Sequence, residues 1–97
     1  MSNVEKNLKK WCNHIPAESH VDDVLSILKR YFPGKYRYKK GSHIVVEHSE
    51  LKGIYDFGLK GEFTIPIFGG KSVKKWYIRK LIKAMEILGF LEKMEEK

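Results

Sequence analysis

Residues Tyr36 to His48 read Y-R-Y-K-K-G-S-H-I-V-V-E-H. Tyr36-Arg37-Tyr38-Lys39 alternates aromatic and basic side chains, the period-2 mark of a strand with one wet face. Gly41-Ser42 supplies a turn, and His43 to His48 forms a second strand, rich in β-branched residues. On that strand Ile44 and Val46 fall on one face and His43, Val45 and Glu47 on the other. If Ile44 and Val46 face the core, His43 looks outward. The flanking sequence decides what this hairpin packs against.

Upstream, Val21, Val24, Leu25, Leu28 and Phe32 follow the i, i+3, i+4, i+7, i+11 pattern of a helix. Ser19 followed by Asp22 resembles a capping box. Asp22 and Asp23 in the first turn and Lys29 and Arg30 in the last suit the helix dipole, and Pro33-Gly34 ends the run. Further upstream, Val4, Leu8, Trp11 and Ile15 trace one face of a short amphipathic helix. Lys6, Lys9 and Lys10 lie elsewhere on its wheel, and Pro16 stops it.

Downstream, Ser49 to Gly61 carries Gly53, Gly58 and Gly61 and reads as a long hairpin connection, with extra strand around Ile54 to Phe57. Glu62 to Phe68 is the third strand, with Phe63, Ile65 and Ile67 on one face. Pro66 argues for an edge position or a strand near its end. Gly69-Gly70-Lys71-Ser72 reads as a turn with Ser72 as N-cap of the last helix. Ile78, Leu81, Ile82, Met85 and Leu88 line one side of that helix, and Lys75, Arg79, Lys83 and Glu86 the other. Gly89 reads as its C-terminal stop, with Phe90, Leu91 and Met94 packing beyond it.

The expected fold class is α+β: a three-stranded antiparallel sheet with two helices packed on one face (α-β-β-β-α), plus an extra N-terminal helix. The other sheet face is left for contacts. At 97 residues the chain has room for a single domain. Residues 1–17 form its helical extension, 18–91 its core and 92–97 a fraying tail.

Composition narrows the function classes. No apolar run approaches the ~20 residues of a membrane span. Met1 to Lys6 lacks the apolar core of a signal peptide, so the cytoplasm is the expected compartment. The single cysteine, Cys12, has no partner for an internal disulfide. Nineteen basic against twelve acidic residues give a formal charge of +7, which favours RNA, DNA or an acidic protein as partner. A basic surface without a ligand is the plain alternative.

Gly70-Lys71-Ser72 has the ending of a P-loop. The full pattern needs a glycine where this chain has Ile65, and the parallel βα units that serve such a loop are missing. What remains is a possible anion site at a helix N-terminus, formed by Gly69 to Ser72 and Lys71. A plain turn and cap is the competing reading. The four histidines lack metal-ligand spacing, since His43 and His48 point to opposite strand faces, so neither metal nor cofactor is expected.

A lone histidine is most often structural. His43 differs in its neighbours: Lys39 and Lys40 precede it, Ser42 adjoins it, and pairing of strands two and three would bring the Gly-Gly-Lys-Ser turn near. Imidazole both takes and gives protons near neutral pH. Lysines hold a phosphodiester and stabilise charge developing on it. Those parts suit metal-independent RNA cleavage by attack of the 2′-hydroxyl, a route closed to DNA.

Lys40-Gly41-Ser42-His43-Ile44-Val45-Val46, then Thr64-Ile65-Pro66-Ile67-Phe68-Gly69-Gly70-Lys71, then Val73-Lys74-Lys75 together resemble the HicA toxin family. The G-S-H strand start, the T-[IV]-P-[IV] strand and the G-[GK]-K turn are that family's marks. Arg79 to Met85, R-K-L-I-K-A-M, is similar to its closing R-x-I-L-K-Q helix. The resemblance spans about Val21 to Leu88. It implies a small mRNA interferase with a double-stranded-RNA-binding-domain-like fold, cleaving RNA without metal, with His43 as the catalytic residue. Lys39, Lys40, Ser42, Lys71 and Lys74 are then the RNA-binding candidates, and a HicB-type antitoxin the expected protein partner. A non-catalytic RNA-binding module of the same fold is the alternative. The chain departs from the pattern in its N-terminal helix, in the long 49–61 connection and in Phe68, where many relatives carry a histidine.

Overall fold

A computed structural model describes residues 3–91; the expected 92–97 tail, with Met94, lies outside them. The chain runs through α1 (Asn3–Asn13), β1 (Glu18–His20), α2 (Val21–Tyr31), β2 (Tyr36–Lys39) and β3 (His43–Glu47). A 3-10 turn (Ser49–Leu51), β4 (Glu62–Pro66), β5 (Ser72–Lys74) and α3 (Lys75–Ile87) follow. No helix among the described residues is long and apolar enough to cross a membrane.

The expected α+β architecture is present. Strands β2, β3 and β4 form an antiparallel sheet in that order. Pro66 ends β4, an edge strand, where its missing N–H costs no ladder bond. Alternation sends Ile44, Val46, Phe63 and Ile65 to one face, where they join Val24, Ile27 and Leu28 of α2 and Ile78, Leu81, Ile82 and Met85 of α3 in one core. Each such buried side chain contributes roughly 1.5–3 kcal/mol. Ile27, absent from the stripe read in the sequence, is fully buried, whereas Leu25 is only partly so. The buried arc of α2 is wide because α1 covers it as well: Leu8 and Trp11 enter the same core, and Glu5 bonds Arg30 at 3.2 Å.

The other sheet face is open. It carries Lys39, His43 and Pro66 in one register row, Arg37, Val45 and Thr64 in the next, and Glu47 beside Glu62 in the third. Val45 is 4% exposed yet stands outside the core cluster, flanked by its row neighbours. Arg37 reaches Glu47 at 3.5 Å and Glu62 at 3.8 Å, so charge on this end of the face is largely paired.

Three local expectations are corrected. Helix α2 is capped by His20, whose Nδ1 accepts the Asp22 N–H at 3.1 Å, and not by a Ser19 capping box. Ser19 is held in β1 opposite Val73, with its hydroxyl 3.4 Å from Asp23. Ser72 is likewise no N-cap, because residues 72–74 are extended to pair with β1; α3 starts at Lys75, and its N-cap Lys74 makes no side-chain cap bond. The helix N-terminus that an anion site at Gly69 to Ser72 would need therefore lies elsewhere, at Lys75. Finally, the strand expected around Ile54 to Phe57 reduces to one bridge, Ile54 with Gly58. Gly53, Asp56 and Gly58 all take positive φ, which breaks an extended run.

That connection nonetheless packs. Leu51 and Phe57 are buried in the core, and Phe57 meets the Phe63 ring at 5.5 Å. Helix α3 ends as expected at Gly89: the Gly89 N–H donates to the Glu86 carbonyl and the Phe90 N–H to that of Met85, a Schellman closure. Phe90 then packs tilted against Tyr31 and edge-to-face with Phe32, with ring centroids 5.5 and 5.7 Å apart.

Candidate active site

The β2–β3 turn sets the site. Lys40 at φ 56 and Gly41 at φ 72 reverse the chain through left-handed backbone, so that Lys39 and His43 become register partners. Alternation puts both on the open face. On the other side of β3, His43 pairs with Pro66, and the Ile67 N–H donates to the Ser42 carbonyl at 2.7 Å, extending the ladder past the histidine.

His43 is half-buried, and its Nδ1 lies 2.9 Å from Ser42 Oγ. This bond orients the ring. When Ser42 donates, the neutral ring carries its proton on Nε2; when Nδ1 donates, Nε2 is the free base. Either way one ring nitrogen is engaged and Nε2 is the atom left to exchange a proton with a group on the open face. Lys39, its register partner, and Lys40 and Ser42 of the turn are all exposed.

The histidines divide by role. His20 and His48 both spend Nδ1 as cap acceptors, His48 for the 3-10 turn through the Glu50 N–H at 3.1 Å. His48 also sets its ring edge against Phe32, with centroids 6.2 Å apart. Among the described residues no three His, Cys, Asp or Glu side chains converge as metal ligands. Cys12 lies half-buried on α1; burial, with Glu86 nearby, pushes its thiol above the ordinary value.

Lys71 and Lys74 are placed differently from each other. The Gly69–Ser72 turn begins three residues beyond Pro66, at the His43 end of the sheet, and Lys71 is exposed on it. Its carbonyl accepts the Val21 N–H at 2.7 Å, which fastens the turn to the start of α2. Lys74 is drawn away: its Nζ bonds Glu18 at 2.7 Å and sits 5.5 Å from the centroid of the Phe68 ring. Phe68, at the position where a histidine was expected by resemblance, is 45% exposed and fixed by its N–H to the Ser72 carbonyl.

At the far end of β2 lies a groove of about 370 Å³, lined in part by Lys35, Arg37 and Lys52. The sequence gives no local signal for it, since Lys35 and Lys52 meet only through the fold. Comparison of the chain with protein-family models, curated proteins and solved structures returns no match.

Proposed function

We propose that the protein is a cytoplasmic endoribonuclease of the mRNA-interferase toxin type, acting without metal from the open face of the sheet. The observation that carries this reading is the Lys39–His43 register pair with Ser42 Oγ 2.9 Å from the imidazole. His43 takes the 2′-hydroxyl proton as O2′ bonds to phosphorus. The P–O5′ bond then breaks, and the departing 5′-oxygen takes a proton from the imidazolium or from water. Lys39, Lys40 and Lys71 hold the phosphate and offset its developing charge. Ser42 positions the ring. Lys74 joins them only when released from Glu18. The resemblance of the G-S-H and T-I-P-I segments to HicA toxins supports the same reading, and makes an acidic HicB-type antitoxin the natural protein partner for this cationic end.

A non-catalytic RNA-binding module is the second reading, favoured by Phe68 standing where a second imidazole was expected. The experiment is incubation of wild type and His43→Ala with single-stranded RNA in the presence of chelator. Wild type yields fragments ending in 2′,3′-cyclic phosphate, and the variant is slower by roughly 10²–10⁴-fold. Equal cleavage by a folded His43→Ala protein rejects the assignment. Binding without any cyclic-phosphate product by wild type selects the module.

A further inference from the structure

Among the described residues, one flank of helix α3 is met only by the tip of the 49–61 connection. Trp76, Arg79, Lys80 and Lys83 fall at i, i+3, i+4 and i+7, a stripe along about 10 Å of helix. The tip of the 49–61 connection folds against its end: Lys83 bonds Asp56 at 2.8 Å and lies 5.9 Å from the Tyr55 ring, and Lys80 lies 5.7 Å from that of Phe57. A shallow groove of about 140 Å³ results, lined by Asp56, Trp76, Arg79, Lys80 and Lys83.

The surface is unusual in what it leaves in water. Trp76 is 66% exposed and Tyr55 85%. Neither ring serves the core, which is complete without them. Three cations face one carboxylate, and that carboxylate is already answered by Lys83. Arg79 and Lys80 form no ion pair among the described residues.

We infer that this groove is a stacking platform for single-stranded RNA, in which Trp76 receives a base while Arg79 and Lys80 hold the backbone, with the exposed Tyr55 at the neighbouring loop tip. The inference rests on RNA being the ligand of this protein, and it adds a surface apart from His43, on the outer flank of α3. Planar rings beside unpaired cations are the combination that single strands use: every base has a π-face, and the phosphates follow a basic groove. A duplex keeps its base faces stacked inside and would meet the cations alone. An acidic peptide would satisfy Arg79 and Lys80 and leave the indole without a planar partner.

The test uses His43→Ala protein as background, so that RNA stays intact, and fluorescein-labelled oligouridylate read by anisotropy. Adding Trp76→Ala should weaken binding by roughly 5- to 100-fold, while Trp76→Phe keeps most of it. Adding Arg79→Gln should lower the slope of log affinity against log salt by about 0.7. Because Trp76 is exposed, both variants should unfold at the parental denaturant midpoint. Unchanged affinity in Trp76→Ala overturns the platform. So does equal binding of an RNA duplex with the same loss on substitution, or an oligoglutamate peptide that binds more tightly than the RNA through the same two residues. Cleavage is scored separately with wild type and His43→Ala. If His43→Ala still cleaves while Trp76→Ala loses binding, the catalytic assignment fails and the platform stands.

Discussion

Glu18 and Lys74 are register partners in the β1–β5 pair, and their side chains close on each other at 2.7 Å. The bond restrains a lysine whose ammonium also lies 5.5 Å from the Phe68 ring centroid.

Removing that restraint has two readouts. The hydrogen bond from Lys74, with its charge, holds the Glu18 carboxyl below its ordinary value of 4.5. A depressed folded value means that the stabilisation is present above the unfolded value and is lost as pH falls through the folded one. Glu18→Gln should therefore lower the urea midpoint slightly at pH 7 and not at all in strong acid. Under the proposed function the freed Lys74 should at the same time tighten RNA binding, measured as a steeper salt dependence.

Lys40 holds a left-handed backbone that lysine adopts at a cost. Lys40→Gly should raise stability by about 1 kcal/mol in denaturant titrations. Under the proposed function cleavage should fall, because the substitution removes a charge assigned there to the phosphate. A gain in stability joined to a loss of activity would mark the turn as shaped for its ligand.

Gly61 has no room for a side chain. A Cβ there would stand 2.5 Å from the His48 carbonyl oxygen and 2.7 Å from the Lys52 nitrogen, both backbone atoms, at φ 68. Gly61→Ala should cost about 2–4 kcal/mol, read from the unfolding midpoint. Gly34→Ala, with open space around it, should cost less.

His20 tests the cap. His20→Ala should destabilise by about 1 kcal/mol, and His20→Asn should recover most of it, because a side-chain acceptor is restored at the same position.

The parts of the fold that rest on long periodic runs were legible in the sequence. Helices α2 and α3 and the β2–β3–β4 order follow from apolar spacing and from turn residues at Gly41 and Gly34. The Schellman end at Gly89 was readable for the same local reason. Strands β1 and β5 were not, because three residues each carry no period, and Glu18 meets Lys74 only across 56 positions of sequence. That pairing displaced two apparent caps, Ser19 and Ser72. The candidate site divides along the same line. Lys39 and His43 are four positions apart, so the hairpin alone brings them together. The diversion of Lys74, the groove beside Lys52 and the meeting of Lys83 with Asp56 all depend on distant chain segments.

The difference in sequence distance has a kinetic consequence for the β1–β5 clasp. A hairpin closes a short loop and forms early, whereas joining Glu18 to Lys74 must close nearly the whole core, at a larger entropic cost. The His43 corner should then be in place before the clasp shuts. On the proposed function, the Lys39–His43 pair would therefore be assembled before Lys74 is tied to Glu18.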